Sequence, residues 1–162
     1  MSIFPTKILL ATDGSREAQL AARTAADLSQ KTNSELHVVY AFGIAPAGPP
    51  VYPEATDLQS EEFEAENEER QQISERRARE VLDAEVEKIR SDGGAVAGEH
   101  LVEGRVAPEI VGLAEEIGAG LIVLGSRGLG GIRRALMGSV SDSVVRHAHC
   151  PVMVVREEQG PR

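Results

Sequence analysis

The sequence predicts an α/β domain whose parallel sheet is covered on both faces. Three observations carry that expectation. Short apolar runs at residues 7–12, 36–41, 95–102, 121–124 and 152–155 alternate with longer segments of helical periodicity. The run Leu121, Ile122, Val123, Leu124 contains no polar residue, as in a strand buried on both sides. Glycines or capping residues punctuate the joints between runs. With 162 residues the chain forms one domain, 1–162, with room for a substantial core.

Each element has its own warrant. Residues 7–12 form the first strand, and Asp13-Gly14-Ser15 turns it into a helix, with Ser15 as N-cap and Glu17 in the first turn. Ala18, Ala21, Ala22, Ala25 and Leu28 recur on one helical face, small enough for close packing on a sheet. Residues 36–41 make the second strand, so the chain opens with a right-handed strand–helix–strand unit. Next come Pro46, Pro49, Pro50 and Pro53 without periodicity, and residues 42–60 are expected to be a mobile loop or lid. Residues 54–69 carry eight acids and no base, which reads as a solvated helix start rather than an acidic binding tail. From Ile73 the pattern turns amphipathic through Ala78, Val81, Leu82, Val86 and Ile89, and Gly93-Gly94 ends it.

A weaker strand at 95–102, interrupted by Gly98, belongs at an edge. A helix from Val106 tolerates Pro108 in its first turn, turns Ile110, Ala114 and Ile117 inward, and stops at Gly118. Beyond the 121–124 strand lies a loop, then a helix carrying Val140, Val144, Val145 and Ala148. Pro151 opens the last strand, Val152 to Val155, where its missing N–H costs least.

The loop after Leu124 carries the chemistry. Four of the seven residues from Gly125 to Gly131 are glycine, and Arg127, Arg133 and Arg134 follow with no acid among them. The loop closes at Gly138, where Ser139 is expected to be the N-cap and Asp142 the capping-box residue of the next helix. Strand, glycine loop and helix N-terminus together describe an anion site, because free amides and the positive dipole end converge on it. Asp13 has three readings: accepting from ribose hydroxyls, which is favoured because the loop serves phosphate, acting through a phosphate-bound cation, or capping its own helix.

Other classes are set aside by composition and spacing. A formal charge of −9 disfavours nucleic acid as a partner. No run of ~18 apolar residues suits a membrane span, and the single Cys150 excludes an internal disulfide, so a reducing cytoplasmic location is expected. Cys150 reads as a buried, inert thiol. His147 and His149 stand two apart, the wrong interval for a metal pair on one helix face; His147 suits the helix C-terminus and His37 packs within its strand. No metal site is expected from side chains alone. There is no G-x4-G-K-[ST] motif, no Ser-His-Asp signal, and no G-x-G-x-x-G in the first turn, which argues against a dinucleotide dehydrogenase.

The spacing Gly125-x2-Gly128-x9-Gly138-Ser139 resembles the G-x2-G-x9-G-[ST] pattern of the nucleotide-binding branch of the universal stress protein family. Ile8 to Ser15, His37-Val38-Val39 and His149 to Val155 resemble that family's first, second and last strands, so the resemblance spans Lys7 to Arg156. It implies strand order 3-2-1-4-5 with four helices, in the wider adenine nucleotide alpha-hydrolase-like group. In that order the winding reverses between strands one and four, where ligands of open parallel sheets bind.

The resemblance further implies that backbone at Ala11 and Val38 meets adenine, while Gly125, Ser126, Arg127, Gly128, Leu129, Gly130 and Gly131, with Ser139, Val140 and Ser141 after Gly138, hold ribose and phosphates. Charge alone suggests that Arg127 or Arg133 neutralises phosphate, with simple solvent exposure the equal alternative. The expected ligand is ATP, with AMP or cyclic AMP as alternatives and Mg²⁺ accompanying a triphosphate. The expected activity is regulatory, at most slow ATP hydrolysis, in a homodimer paired through Val152 to Val155. The competing reading is a nucleotide-independent dimeric interaction module, against which the intact glycine spacing argues.

Overall fold

In the computed structural model the described residues are 2–43, 57–126 and 137–157, with backbone alone at 57–60. The chain runs β1(Lys7–Ala11), α1(Arg16–Thr32), β2(Glu35–Phe42), α2(Asp57–Ser91), β3(Gly98–Glu103), α3(Val106–Ile117), β4(Leu121–Gly125), α4(Ser139–His147) and β5(Val152–Val155). Every strand pairing is parallel, and the order across the sheet is β3-β2-β1-β4-β5. This is the α/β architecture the alternation of patterns predicts.

Strand periodicity divides the core into two layers. Ile8, Leu10, Leu36, Val38 and Val123 face α1 and α2, where they meet Ala21, Ala25, Leu82 and Val86. Leu9, Val39, Ile122 and Leu124 face the other way, onto Ile110, Leu113, Ala114 and Val144. Ile8, Leu9 and Leu10 are fully buried, and each such burial contributes about 1.5–3 kcal/mol. These three central residues therefore fix which faces α1 and α3 must cover.

Helix ends follow local chemistry. The Ser15 hydroxyl caps α1 by accepting from the Ala18 N–H at 3.2 Å. Asn33 closes the same helix in the left-handed region, its N–H reaching back to the Gln30 and Ser29 carbonyls. Gly118 plays that part for α3.

Three boundaries differ from the sequence expectation. α2 begins at Asp57, so residues 57–60 of the segment expected as loop are helical; residues 44–56 lie outside the described residues. At 35 residues this helix is roughly 50 Å long. Its buried face, Ala78, Leu82, Val86 and Ile89, occupies only the C-terminal half. The N-cap of α4 is Gly138, in extended backbone, and not Ser139, which is already helical. Asp142 is correspondingly not a capping-box residue: its carboxylate pairs with Arg146 one turn on, at 2.9 Å. Finally, β3 starts at Gly98, although the Ala97 N–H already donates to the Leu36 carbonyl.

Gly98 opens this edge strand rather than breaking it. A Cβ there would collide with the His37 ring of the neighbouring strand. The missing side chain admits His37, which stacks on His100 with centroids 5.3 Å apart and Nδ1 3.0 Å from its Nε2. His37 thus packs at its strand as expected, in partnership with a histidine that sequence spacing did not single out.

Candidate nucleotide site

The winding reverses between β1 and β4, and a cleft of about 860 Å³ opens there beyond the C-terminal ends of the strands. Ala11, Thr12 and Asp13 line it from the end of β1, and Leu124 and Gly125 from the end of β4. Tyr40, Ala41, Phe42 and Gly43 enter from the end of β2, and Gly138, Ser139, Val140 and Ser141 from the start of α4. Val106 and Ile110 add apolar surface from α3. The arrangement supplies an apolar slot at one side and hydrogen-bonding backbone at the other, the composition of a small-molecule site.

Seven of the residues expected from sequence therefore meet in one cleft: Ala11, Asp13, Gly125, Gly138, Ser139, Val140 and Ser141. Val38 does not join them. It stands in mid-strand with its side chain fully buried in the core, opposite Leu10 and Glu99 in the sheet register. The residues of β2 that reach the cleft are Tyr40, Ala41 and Phe42, two to four positions farther along the strand. Arg127, Gly128, Leu129, Gly130 and Gly131 lie outside the described residues, as does Arg133.

Ser126 acts beneath the cleft rather than on its wall. It is almost completely buried, and its hydroxyl donates to Glu17 Oε2 at 2.5 Å. Its carbonyl accepts from the Gly138 N–H at 2.6 Å and from the Ser141 hydroxyl at 2.8 Å. Its own N–H donates to the Val155 carbonyl of β5. One residue thus fastens the exit of β4 to α1, α4 and β5, and holds the two ends of the 127–137 connection together.

Gly125 is required by the same crowding. A Cβ at this position would stand 2.9 Å from the Glu17 carbonyl carbon and 3.0 Å from the Ala18 nitrogen. The glycine seats β4 against the first turn of α1, a packing role in addition to any approach by a ligand.

The start of α4 is built to receive an anion. Gly138 brings no capping side chain, so among the described residues no side chain caps the first N–H groups of the helix, and the dipole adds its positive end. α1 is different, since Ser15 already occupies its N-terminus. Asp13 Oδ1 accepts the Ser15 N–H at 2.9 Å, which fixes the turn into α1, and the residue also lines the cleft. Burial, and then the Asp13 charge, push the Tyr40 phenol above its ordinary value, so it remains a neutral donor.

A family model described as the universal stress protein family matches residues 5–156. The chain belongs to the universal stress protein family. A universal stress protein of Methanocaldococcus jannaschii is 33% identical over 152 residues, covering 93% of this chain and 82% of the relative. Among solved structures, the universal stress protein of Archaeoglobus fulgidus in complex with dAMP shares 26% identity at a TM-score of 0.59, covering 95% of this chain and 99% of that one. A universal stress protein in complex with cAMP shares the fold at 23% identity and a TM-score of 0.63, covering 94% and 97%. Universal stress proteins similar to this chain thus include one in complex with dAMP and one in complex with cAMP.

The other candidates carry no chemistry of this kind. His147 Nδ1 lies 2.8 Å from the Ser143 carbonyl in the last turn of α4, a helix-end contact. His149 sits 3.8 Å from Glu115. Burial pushes the half-buried Cys150 thiol up and away from reactivity. Among the described residues no group of three or more His, Cys, Asp or Glu side chains is placed to hold a metal, and no helix is long and apolar enough to cross a membrane.

Proposed function

We propose that this universal stress protein is an ATP-binding regulatory protein of the cytoplasm. The observation that carries the reading is the convergence, in one cleft, of the β1 turn, the end of β2 and the uncapped start of α4. Adenine lies against Ala11, Ala41 and the apolar side chains from α3, with the backbone of β1 and β2 at its edge. The Asp13 carboxylate accepts from ribose. Phosphates rest on the amides of Gly138 to Ser141 and on the glycine loop, Gly125 to Gly131, as the spacing suggests. Mg²⁺ accompanies the triphosphate from solution.

Binding, and not turnover, is the expected activity. Asp13 is the only carboxylate among the described residues of the cleft wall, and it is already engaged by the Ser15 N–H. Hydrolysis is therefore expected to be at most slow, since no other carboxylate among the described residues of the cleft wall is there to position water. Two copies pair through the exposed edge of β5, Val152 to Val155.

Calorimetric titration of nucleotide-free protein with ATP, AMP and cyclic AMP tests the site. Saturable binding near one per chain, weakened about tenfold or more by Asp13→Ala, is the expected result. No heat from any of the three would overturn the assignment.

A further inference from the structure

The long helix α2 contributes to the cleft a face that the sequence reading did not single out. Arg70, Ser74, Arg77 and Val81 succeed one another along it at three- and four-residue intervals, and all line the cleft. Val81 sets the position of this face, because its Cγ1 would lie 3.1 Å from a Cβ at Gly14, just beyond β1. Arg77 is one turn up from Val81, above the β1 turn. Arg70 stands two turns higher, about 10 Å farther out along the helix axis.

These two guanidinium groups are the cations of the described cleft wall, in a chain of net charge −9. Neither forms an ion pair among the described residues, although α2 and its surroundings are rich in acids. Arg90, by contrast, is bridged to Glu99, and Gln71, beside Arg70 in sequence, bonds Glu103 on the outer side. The ridge Arg70–Ser74–Arg77 and the start of α4 line the same cleft. An anion between them meets charge-assisted donors from one side and helix amides from the other.

We propose that Arg70 and Arg77 are specificity-determining residues that make the cleft select polyphosphorylated nucleotides over nucleosides and monophosphates. The inference rests on the nucleotide reading of the site and assigns its preference. A monophosphate already finds its partners at the α4 terminus. Additional phosphates extend into the space covered by α2, where each further negative charge must be matched.

The test measures the affinity of the full chain for MgATP, AMP and adenosine in wild type, Arg70→Gln, Arg77→Gln, the double variant and Arg77→Lys. Both arginines are exposed, so the thermal midpoint should stay near wild type. Expected is a rise of about tenfold in the MgATP Kd for each arginine removed, adenosine held within about twofold, and partial recovery in Arg77→Lys. The salt dependence of MgATP binding should flatten in the double variant. An MgATP affinity unchanged in the double variant, or adenosine weakened as much as MgATP, would overturn the inference while leaving the site itself standing. Failure of wild type to bind any of the three would overturn both.

Discussion

Ser141 donates its hydroxyl to the carbonyl oxygen of Ser126 at 2.8 Å, so the residue that leaves β4 is bonded to the first turn of α4 fifteen positions later. The same hydroxyl lies 3.1 Å from the Gly138 carbonyl. The contact closes the base of the glycine connection and holds the α4 amides at the cleft. Ser141→Ala should therefore cost about 1 kcal/mol of stability. Its ATP affinity should fall further than that loss explains, because the helix start is no longer held. Denaturant unfolding and titration of the same variant check the two effects separately.

The crowding at Gly125 gives a second expectation. A side chain there pushes on the backbone of Glu17 and Ala18, which belongs to the first turn of α1 and cannot rotate away. Gly125→Val should lose about 1–3 kcal/mol, with nucleotide binding reduced alongside. A variant as stable as wild type in urea would show that α1 can retreat at little cost.

Glu85 predicts a pH dependence. It is a buried residue of α2, and its Oε1 has no hydrogen-bond partner among the described residues. Burial pushes its carboxyl above the ordinary value; Lys88 draws it back down and Asp13 adds to the rise. A folded-state value above the unfolded one means that the folded protein favours the protonated group. Glu85 is therefore tolerated at full stability below the unfolded value, near 4.5. That stability is lost as pH rises through the higher folded value. Glu85→Gln should remove this slope and be about 1–2 kcal/mol more stable than wild type at neutral pH. Thermal unfolding of both proteins across pH 4–8 measures it, with roughly that range set by the shift direction.

The outer edge of the sheet at β5 offers a test of assembly. Met153 is 36% exposed there, on a strand bonded on one side only to β4. A charge at that position should oppose strand pairing between copies. Light scattering should find a dimer for wild type and a monomer for Met153→Glu, with the thermal midpoint little changed.

Much of this was legible in the sequence because the period of burial states it directly. Leu9 and Leu10 point to opposite layers, and the Ala face of α1 reads off at helical spacing. The site was legible where a residue type has a local cause, as with Asp13 and Gly138 at turns. Val38 shows what is lost: apolar β2 residues look alike in sequence, and only the register tells which of them reaches the strand end. Arg70 and Arg77 were hidden for another reason. They follow a run of acids that reads as solvated surface, and their exposure to a cleft depends on where α2 crosses the sheet. Ser126 and Glu17 meet across 109 positions, a pairing that no local pattern encodes.

The cleft at the end of β1, β2 and β4 is proposed to hold an adenine nucleotide. With no Trp and two Tyr, the protein absorbs weakly at 280 nm, so a bound adenine dominates the near-ultraviolet spectrum of the freshly purified chain. Acid extraction followed by chromatography then names and counts what was bound. An adenine nucleotide close to one per chain, lost in Asp13→Ala, is the expected result. Protein that carries none, and takes up none when offered ATP, AMP or cyclic AMP over a range of salt, would contradict it.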